Sequence, residues 1–158
     1  MKEAAEEFSR GQYKYLVTVG GPVEGDEGPT NQKNFAELAA RRLQELGVAE
    51  SSITVLNVPI VTNHRTYASA LAVRNWINNS KIEVTGVNVF TLGAHARKSL
   101  VLFKRALGPE IKVGVISGTD TDYDPAHWWI SVRGIYVILR KTLGYLYAIF
   151  WPLPDSLP

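Results

Sequence analysis

Hydrophobic positions along the chain follow two alternating patterns. Short runs rich in valine, isoleucine and leucine are typical of buried strands, and longer segments between them carry apolar residues at helical spacing. We predict strands at Tyr13–Val19, Ile53–Val58, Val87–Leu92 and Ile111–Ile116. We predict helices at Asn31–Leu46, Thr66–Asn79, His95–Leu107 and Ser131–Phe150. Gly47 is the residue expected to end the first of these helices.

This alternation of strand and helix predicts an α/β fold. Strands that are apolar along nearly their whole length are typical of a parallel sheet covered by helices on both faces. We therefore expect a mainly parallel sheet of about four strands. The acidic segment at the N-terminus, MKEAAEEFSRG, has a helical pattern and does not resemble a signal peptide.

The last helix should bury one apolar side against the sheet. Residues at helical spacing form this side, and substituting Leu139 or Leu143 by alanine there should cost about 2–5 kcal/mol. They are Ile135, Ile138, Leu139, Leu143, Leu146 and Phe150. Although Gly134–Trp151 is mostly apolar, Arg140 and Lys141 at its middle argue against a membrane span.

Length and composition narrow the classes of protein. With 158 residues, 46% of them hydrophobic, the chain fits one domain, which we place at residues 1–151, followed by a loose tail at 152–158. A net charge of +2, with the basic residues scattered, gives no nucleic-acid-binding surface. The absence of cysteine excludes thiolate chemistry. With no leader visible, the sequence as written predicts a cytoplasmic protein.

Unusual residues gather in the loops that follow the predicted strands. In open α/β sheets, ligands bind beyond the carboxyl ends of the strands, where helix N-termini offer N–H groups and a positive dipole end. After the first strand, Gly20 and Gly21 allow a sharp turn or a close backbone approach to a ligand; a plain turn is the alternative. Neither a Walker A loop nor a dinucleotide-binding glycine pattern is present.

We predict that the third strand stops at Gly93 so that the chain can turn without a side chain in the way, and that His95 and Arg97 then open a helix. Arginine gives a fixed charge and a forked donor for phosphate or carboxylate, and histidine can donate, accept or transfer a proton near neutral pH. We therefore predict that both bind an anionic ligand, and that His95 is the catalytic residue if the protein is an enzyme. The alternative is a helix-capping histidine beside an exposed arginine.

Further candidates follow the second and fourth strands. Arg65 either faces the ligand or lies in a solvated loop, and Thr66 is expected to begin and cap its helix. Asp120 could orient His95 or bind a ribose or a metal, although a turn-forming role is commoner for aspartate. The run Asp120, Asp122, Asp124 lacks the glycine and glutamate of a calcium-binding EF-hand loop, so we reject an EF-hand and assign no residue as a metal ligand.

The segments RTYASALAVRNWI and GAHARKSLVLFKRAL, with Tyr123, Asp124 and the pair Trp128–Trp129, resemble the DUF218 family, also called YdcF-like. The resemblance extends from about Glu3 to about Phe150. It implies a Rossmann-like three-layer α/β/α domain, often with an N-terminal membrane anchor, and links to the bacterial cell envelope and to nucleotide-like ligands. The family's glycines, threonine, histidine and arginine fall on Gly20, Gly21, Thr66, His95 and Arg97.

Two features depart from the family pattern. The last helix carries Lys141 where the family commonly has a glutamate, which puts a carboxylate role there in doubt. The family's first apolar strand is missing as well. We expect an apolar membrane anchor upstream of Met1 in the natural full-length protein, which would make the protein membrane-anchored and envelope-facing. We also expect imperfect closure of the sheet, or self-association along its exposed edge.

Together these residues favour a domain that binds a phosphate- or carboxylate-bearing small molecule. If the protein is an enzyme, we expect a hydrolase or transferase that acts on envelope intermediates. The candidate ligand-binding residues are Gly20, Gly21, Arg65, Thr66, His95, Arg97 and Asp120. The sequence does not identify a cofactor. The candidates are a nucleotide-like ligand, which the resemblance implies, and S-adenosylmethionine. The alternative is a non-catalytic envelope-associated module that uses its aromatic C-terminal helix. Whether the protein is an enzyme is left open by the sequence.

Overall fold

The computed structural model describes residues 1–23 and 34–150, in which helices and strands alternate close to the predicted ranges. In chain order they are α1 (Lys2–Arg10), β1 (Leu16–Gly20), α2 (Phe35–Glu45), β2 (Ile53–Asn57), α3 (Arg65–Asn79), β3 (Gly86–Leu92), α4 (His95–Leu107), β4 (Lys112–Gly118) and α5 (Val132–Phe150). Short 3₁₀ turns lie at Glu50–Ser52 and Trp128–Ile130. The chain divides into two compact units, one at Met1–Lys81 and one beginning at Ile82.

The N-terminal unit contains one β–α–β repeat. Strands β1 and β2 pair in parallel, and α2 connects them. The side-chain oxygen of Asn34 accepts a 2.8 Å hydrogen bond from the backbone N–H of Ala36 and so caps α2, whose predicted start at Asn31 lies outside the described residues. Gly47 ends the helix as predicted: its N–H donates to Gln44, and the N–H of Val48 donates to Leu43.

The second unit repeats this arrangement and adds a long helix. Strands β3 and β4 pair in parallel from Gly86 opposite Lys112 to Leu92 opposite Gly118, and α4 connects them. Helix α5 packs against α4. The guanidinium of Arg105 donates a 2.7 Å hydrogen bond to the carbonyl oxygen of Ala148, which ties the last turn of α5 to α4.

The α/β class and the parallel pairing are confirmed, but the predicted sheet of about four strands is not found. The described residues form two separate parallel sheets of two strands each, β1 with β2 and β3 with β4. Local periodicity identifies strands but does not determine which strands pair. Every strand here is an edge strand of its sheet, so self-association along an edge stays a prediction, as does the single domain over residues 1–151.

The prediction for the buried side of α5 is wrong. Its buried residues are Gly134, Val137 and Ala148, whereas Leu139 and Leu143, which we expected in the core, are exposed. Of the six residues predicted to face the sheet, all but Ile138 are exposed. Because α5 is apolar on more than one side, helical spacing alone could not tell which side is covered.

Predictions for the two ends of the chain have different outcomes. Helix α1 confirms the helical pattern at the N-terminus. The predicted loose tail, residues 152–158, lies outside the described residues. Among the helices that the structure describes, none combines the length and the apolar character needed to cross a bilayer.

Candidate functional site

Gly93 makes the turn that joins β3 to α4. Its φ is +50°, a left-handed conformation that residues with a Cβ avoid. Its N–H donates a 2.9 Å hydrogen bond to Gly118, and its carbonyl oxygen accepts from Ala96 and from the hydroxyl of Ser117, both at 3.1 Å. A Cβ at this position would lie 2.7 Å from the Cβ of Asp120. The prediction that the strand ends at Gly93 because the turn excludes a side chain is therefore confirmed.

A cleft of about 690 Å³ opens beside this turn, at the carboxyl ends of β3 and β4. One wall is the turn itself with the start of α4, and the opposite walls come from the loop after β4 and from α5. The residues with polar or aromatic side chains that line the cleft are Arg97, Ser117, Thr119, Asp120, Tyr123, Trp128, Lys141, Thr142 and Tyr145. The cleft lies where the sequence predicted a ligand site, and its volume is typical of small-molecule sites.

Among the described residues, two cations and one carboxylate line the cleft. Arg97 is exposed on the first turn of α4, and Lys141 projects from the middle of α5. Asp120 lies on the loop after β4, near Gly93. Since the positive end of the α4 dipole also lies at the cleft, the two walls that α4 and α5 form favour a negatively charged group.

His95 is the first residue of α4 and is partly buried. Burial, followed by the positive charges of Lys141, Lys98 and Arg140, lowers its pKa from 6.5 to about 4. Burial lowers the pKa of Lys98 as well, together with the charges of Lys141 and Arg140. The imidazole is therefore neutral at neutral pH, inside a group of like charges that we call the cationic cluster: Lys98, Arg140 and Lys141.

The alternative that His95 caps its helix is not supported. The N-cap residue of α4 is Ala94, which makes no side-chain cap, and His95 lies inside the helix. The backbone N–H of Ala94 donates instead to the hydroxyl of Tyr123, at 3.3 Å. Tyr123 thus links the loop after β4 to the start of α4, which positions both walls of the cleft.

Two of the three aspartates in the loop after β4 stabilise local turns, and the third forms an ion pair. Asp120 accepts a 3.1 Å hydrogen bond from the N–H of Asp122, which is the turn-forming role, while it also lines the cleft. Asp122 pairs with Arg133 at 2.8 Å. Asp124 accepts from Ala126 and from the ring of His127, and the bond from His127 is the main reason why the pKa of this aspartate is lowered. Over residues 1–23 and 34–150, no group of three or more acidic, histidine or cysteine side chains could hold a metal ion.

The tryptophan pair has two different environments. Trp128 lines the cleft, whereas Trp129 is exposed. Their rings meet edge to face with centroids 5.9 Å apart. Only Trp128 can therefore contact a ligand in the cleft.

The glycines of the N-terminal unit allow close packing. A Cβ on Gly20 would lie 2.9 Å from both the backbone nitrogen of Ala36 and the Cβ of Phe35, so Gly20 lets the start of α2 approach the end of β1. The carbonyl oxygen of Gly21 accepts a 2.9 Å hydrogen bond from Phe35. These contacts support the alternative of a structural turn; a ligand-binding role for the two glycines stays a prediction.

The start of α3 differs from the prediction. The helix begins at Arg65, and His64, with a left-handed φ of +61°, occupies the N-cap position, so Thr66 is not the cap. Arg65 is exposed, and its carbonyl oxygen accepts a 3.1 Å hydrogen bond from the hydroxyl of Ser69. Both Arg65 and Thr66 belong to the N-terminal unit, and their ligand-binding roles stay predictions.

Within the second unit, the structure brings Arg97 and Asp120 to one cleft and places His95 beside it. Sequence reasoning missed the contribution of α5, above all Lys141 and Tyr145. A signal was available, because Arg140 and Lys141 interrupt an otherwise apolar helix and must reach a polar environment. We read these charges as an argument against a membrane span, and Lys141 as a departure from the family pattern, but neither of them as part of a ligand site.

No family model matches the chain, and no characterised protein or solved structure has significant similarity to it.

Proposed function

We propose that the cleft at the carboxyl ends of β3 and β4 binds a small molecule that carries a phosphate or a carboxylate. The observation that carries this proposal is that Arg97 and Lys141 both line the cleft, beside the partly buried His95 and Lys98. Like charges that are partly removed from water repel one another, and this repulsion costs free energy in the unliganded protein. An anion between them would offset that cost.

The donors in the cleft suit such a group. Arg97 offers a planar fork that can bind two oxygens at once, whereas Lys141 acts as a point charge. Asp120 on another wall would repel an anion, so it would orient a hydroxyl or amine of the ligand. Tyr123 and Trp128 offer apolar surface for the remaining body of the molecule.

The geometry supports binding better than proton-transfer catalysis in the free protein. An imidazole with a pKa of about 4 is neutral at pH 7, so it can accept a hydrogen bond or a proton but cannot act as the acid. A bound anion would raise this pKa. Hydrolase or transferase activity with His95 as acid and base therefore depends on ligand binding first.

The proposal retains the resemblance to the DUF218 family and the Rossmann-like three-layer fold that it implies. Its support is that each unit contains one parallel β–α–β repeat, the element from which such folds are built. Lys141 argues against assigning the function of the family directly to this chain, because it places a cation where the family commonly has a carboxylate. An envelope-linked substrate is part of the same proposal.

Calorimetric titration with inorganic pyrophosphate tests the site, preceded by a thermal-shift panel of nucleotides, sugar phosphates and S-adenosylmethionine. Because a charge-assisted contact contributes about 1.5–3 kcal/mol, Arg97→Ala and Lys141→Gln should each weaken binding about ten- to a hundredfold. Lys112→Gln is the matched control, since this exposed lysine lies at the opposite end of β4. Unchanged affinity in folded Arg97→Ala and Lys141→Gln proteins, or no binding by any compound of the panel, would contradict the proposal.

A further inference from the structure

Helix α5 carries an apolar surface on the side that it does not use for α4 or the cleft. Val132 is 86% exposed, Leu143 66% and Phe150 79%. We call this surface the α5 outer face; it consists of Val132, Tyr136, Leu139, Leu143, Leu146 and Phe150, all of them exposed. Their spacing places them on one side of the helix, over about 27 Å at 1.5 Å per residue.

The apolar surface continues beyond the helix and is wide. Trp129 and Ile130 precede α5 in the 3₁₀ turn at Trp128–Ile130, and both are exposed. Ile135, Tyr147 and Ile149 are exposed along the two margins of the outer face. The surface is therefore wider than the narrow seam of two positions per heptad along which two helices pair. An extended apolar environment is a better fit than one partner helix.

The charges that α5 itself carries beside the outer face are positive. Helix α5 contains Arg133, Arg140 and Lys141 and no acidic residue. The guanidinium of Arg140 lies 5.9 Å from the ring centroid of Tyr136, which places this cation at the margin of the outer face. Arg133 forms an ion pair with Asp122, an exposed contact of small stability that salt screens.

We propose that the α5 outer face, with Trp129 and Ile130, binds the surface of an anionic lipid bilayer, with the helix lying in the plane of the interface. Tryptophan, tyrosine and leucine on one side of a helix, with arginine beside them, are the residues that such interfacial helices use. Anionic headgroups would pair with the arginines while the outer face enters the acyl boundary.

A second copy of the chain fits the same surface less well. If two α5 helices paired in antiparallel orientation about their midpoints, the margins that carry Arg133 and Arg140 would face each other, and Arg140, near the middle of the helix, would lie opposite its counterpart. In parallel orientation, no acidic residue of α5 would be available to pair with either arginine. The charge distribution thus favours lipid over self-association through this helix.

Sedimentation of the full chain with vesicles tests the proposal. Vesicles of equal parts phosphatidylglycerol and phosphatidylcholine should bind the protein, vesicles of phosphatidylcholine alone should bind it less, and high salt should weaken binding. The variant Leu139→Glu/Leu143→Glu should lose at least about tenfold in vesicle affinity, because it places two charges in the apolar contact. Ile60→Glu is the matched control, since Ile60 is 76% exposed and lies outside α5.

The proposal is overturned by any of three results. The first is that the wild-type protein stays in the supernatant with the anionic vesicles. The second is that the double variant, shown to be folded by far-UV circular dichroism, binds as well as the wild type and the Ile60→Glu control. The third is that light scattering finds a dimer that the double variant abolishes, because a second copy would then cover the outer face.

Discussion

Substituting Gly93 by alanine should damage the second unit through two separate effects. At φ +50°, an added Cβ costs about 1–2 kcal/mol of backbone strain. The same Cβ would lie 2.7 Å from the Cβ of Asp120 and 2.9 Å from the hydroxyl of Tyr123, and crowding of this kind costs about 1–3 kcal/mol. We therefore expect Gly93→Ala to lower the free energy of unfolding of its unit by about 2–5 kcal/mol.

Gly47→Ala provides the matched control. Gly47 also has a left-handed φ, +92°, but a Cβ there would meet nothing within 4 Å, so only the strain of about 1–2 kcal/mol should be lost. Amide hydrogen exchange measures each variant in its own unit, through β3 and β4 for Gly93 and through β1 and β2 for Gly47. If Gly93→Ala lowers the free energy of unfolding by no more than Gly47→Ala does, the added Cβ does not crowd Asp120 and Tyr123. The turn then does not shape the cleft as described.

Three further results are expected. Because the pKa of His95 is lowered from 6.5 to about 4, the unfolded chain binds more protons than the folded chain between these pH values, and the free energy of unfolding should decrease as pH falls through this range. In urea unfolding at several pH values, this decrease should be smaller for His95→Gln than for the wild type. Leu139→Ala should lower the free energy of unfolding by less than about 1 kcal/mol because Leu139 is exposed, whereas Leu102→Ala should lower it by about 2–5 kcal/mol because Leu102, in α4, is buried. Equal losses in thermal unfolding would contradict the assignment of buried and exposed sides. Arg105→Met should increase hydrogen exchange in the last turn of α5, and unchanged exchange would show that the bond to Ala148 contributes nothing.

Local patterns in the sequence predicted the elements well. Helix α4 has the predicted bounds, and Gly47 and Gly93 end their elements as expected, because each needs a backbone conformation that glycine alone adopts easily. The start of α3 was misplaced by one residue, since His64 takes the left-handed conformation without a side-chain cap. A capping rule built on threonine could not anticipate this.

Features that depend on tertiary contacts were harder to predict. Pairing of four strands in one sheet was inferred from their number, whereas pairing is decided by contacts that no single strand encodes. The covered side of α5 was also misassigned, because Val137 and Leu139 are both apolar and only tertiary contacts distinguish the buried residue from the exposed one. For the same reason Lys141 was not recognised as part of the cleft.

The most direct test of the anion site is the titration of the His95 imidazole by nuclear magnetic resonance, with and without inorganic phosphate at constant ionic strength. The spectrum of His95→Gln assigns its signal among those of the three histidines. The structure predicts a pKa of about 4 without phosphate, and phosphate should raise it, because a bound anion offsets the charges of the cationic cluster. A His95 that titrates near its ordinary value, and does so equally with and without phosphate, would contradict the proposed site.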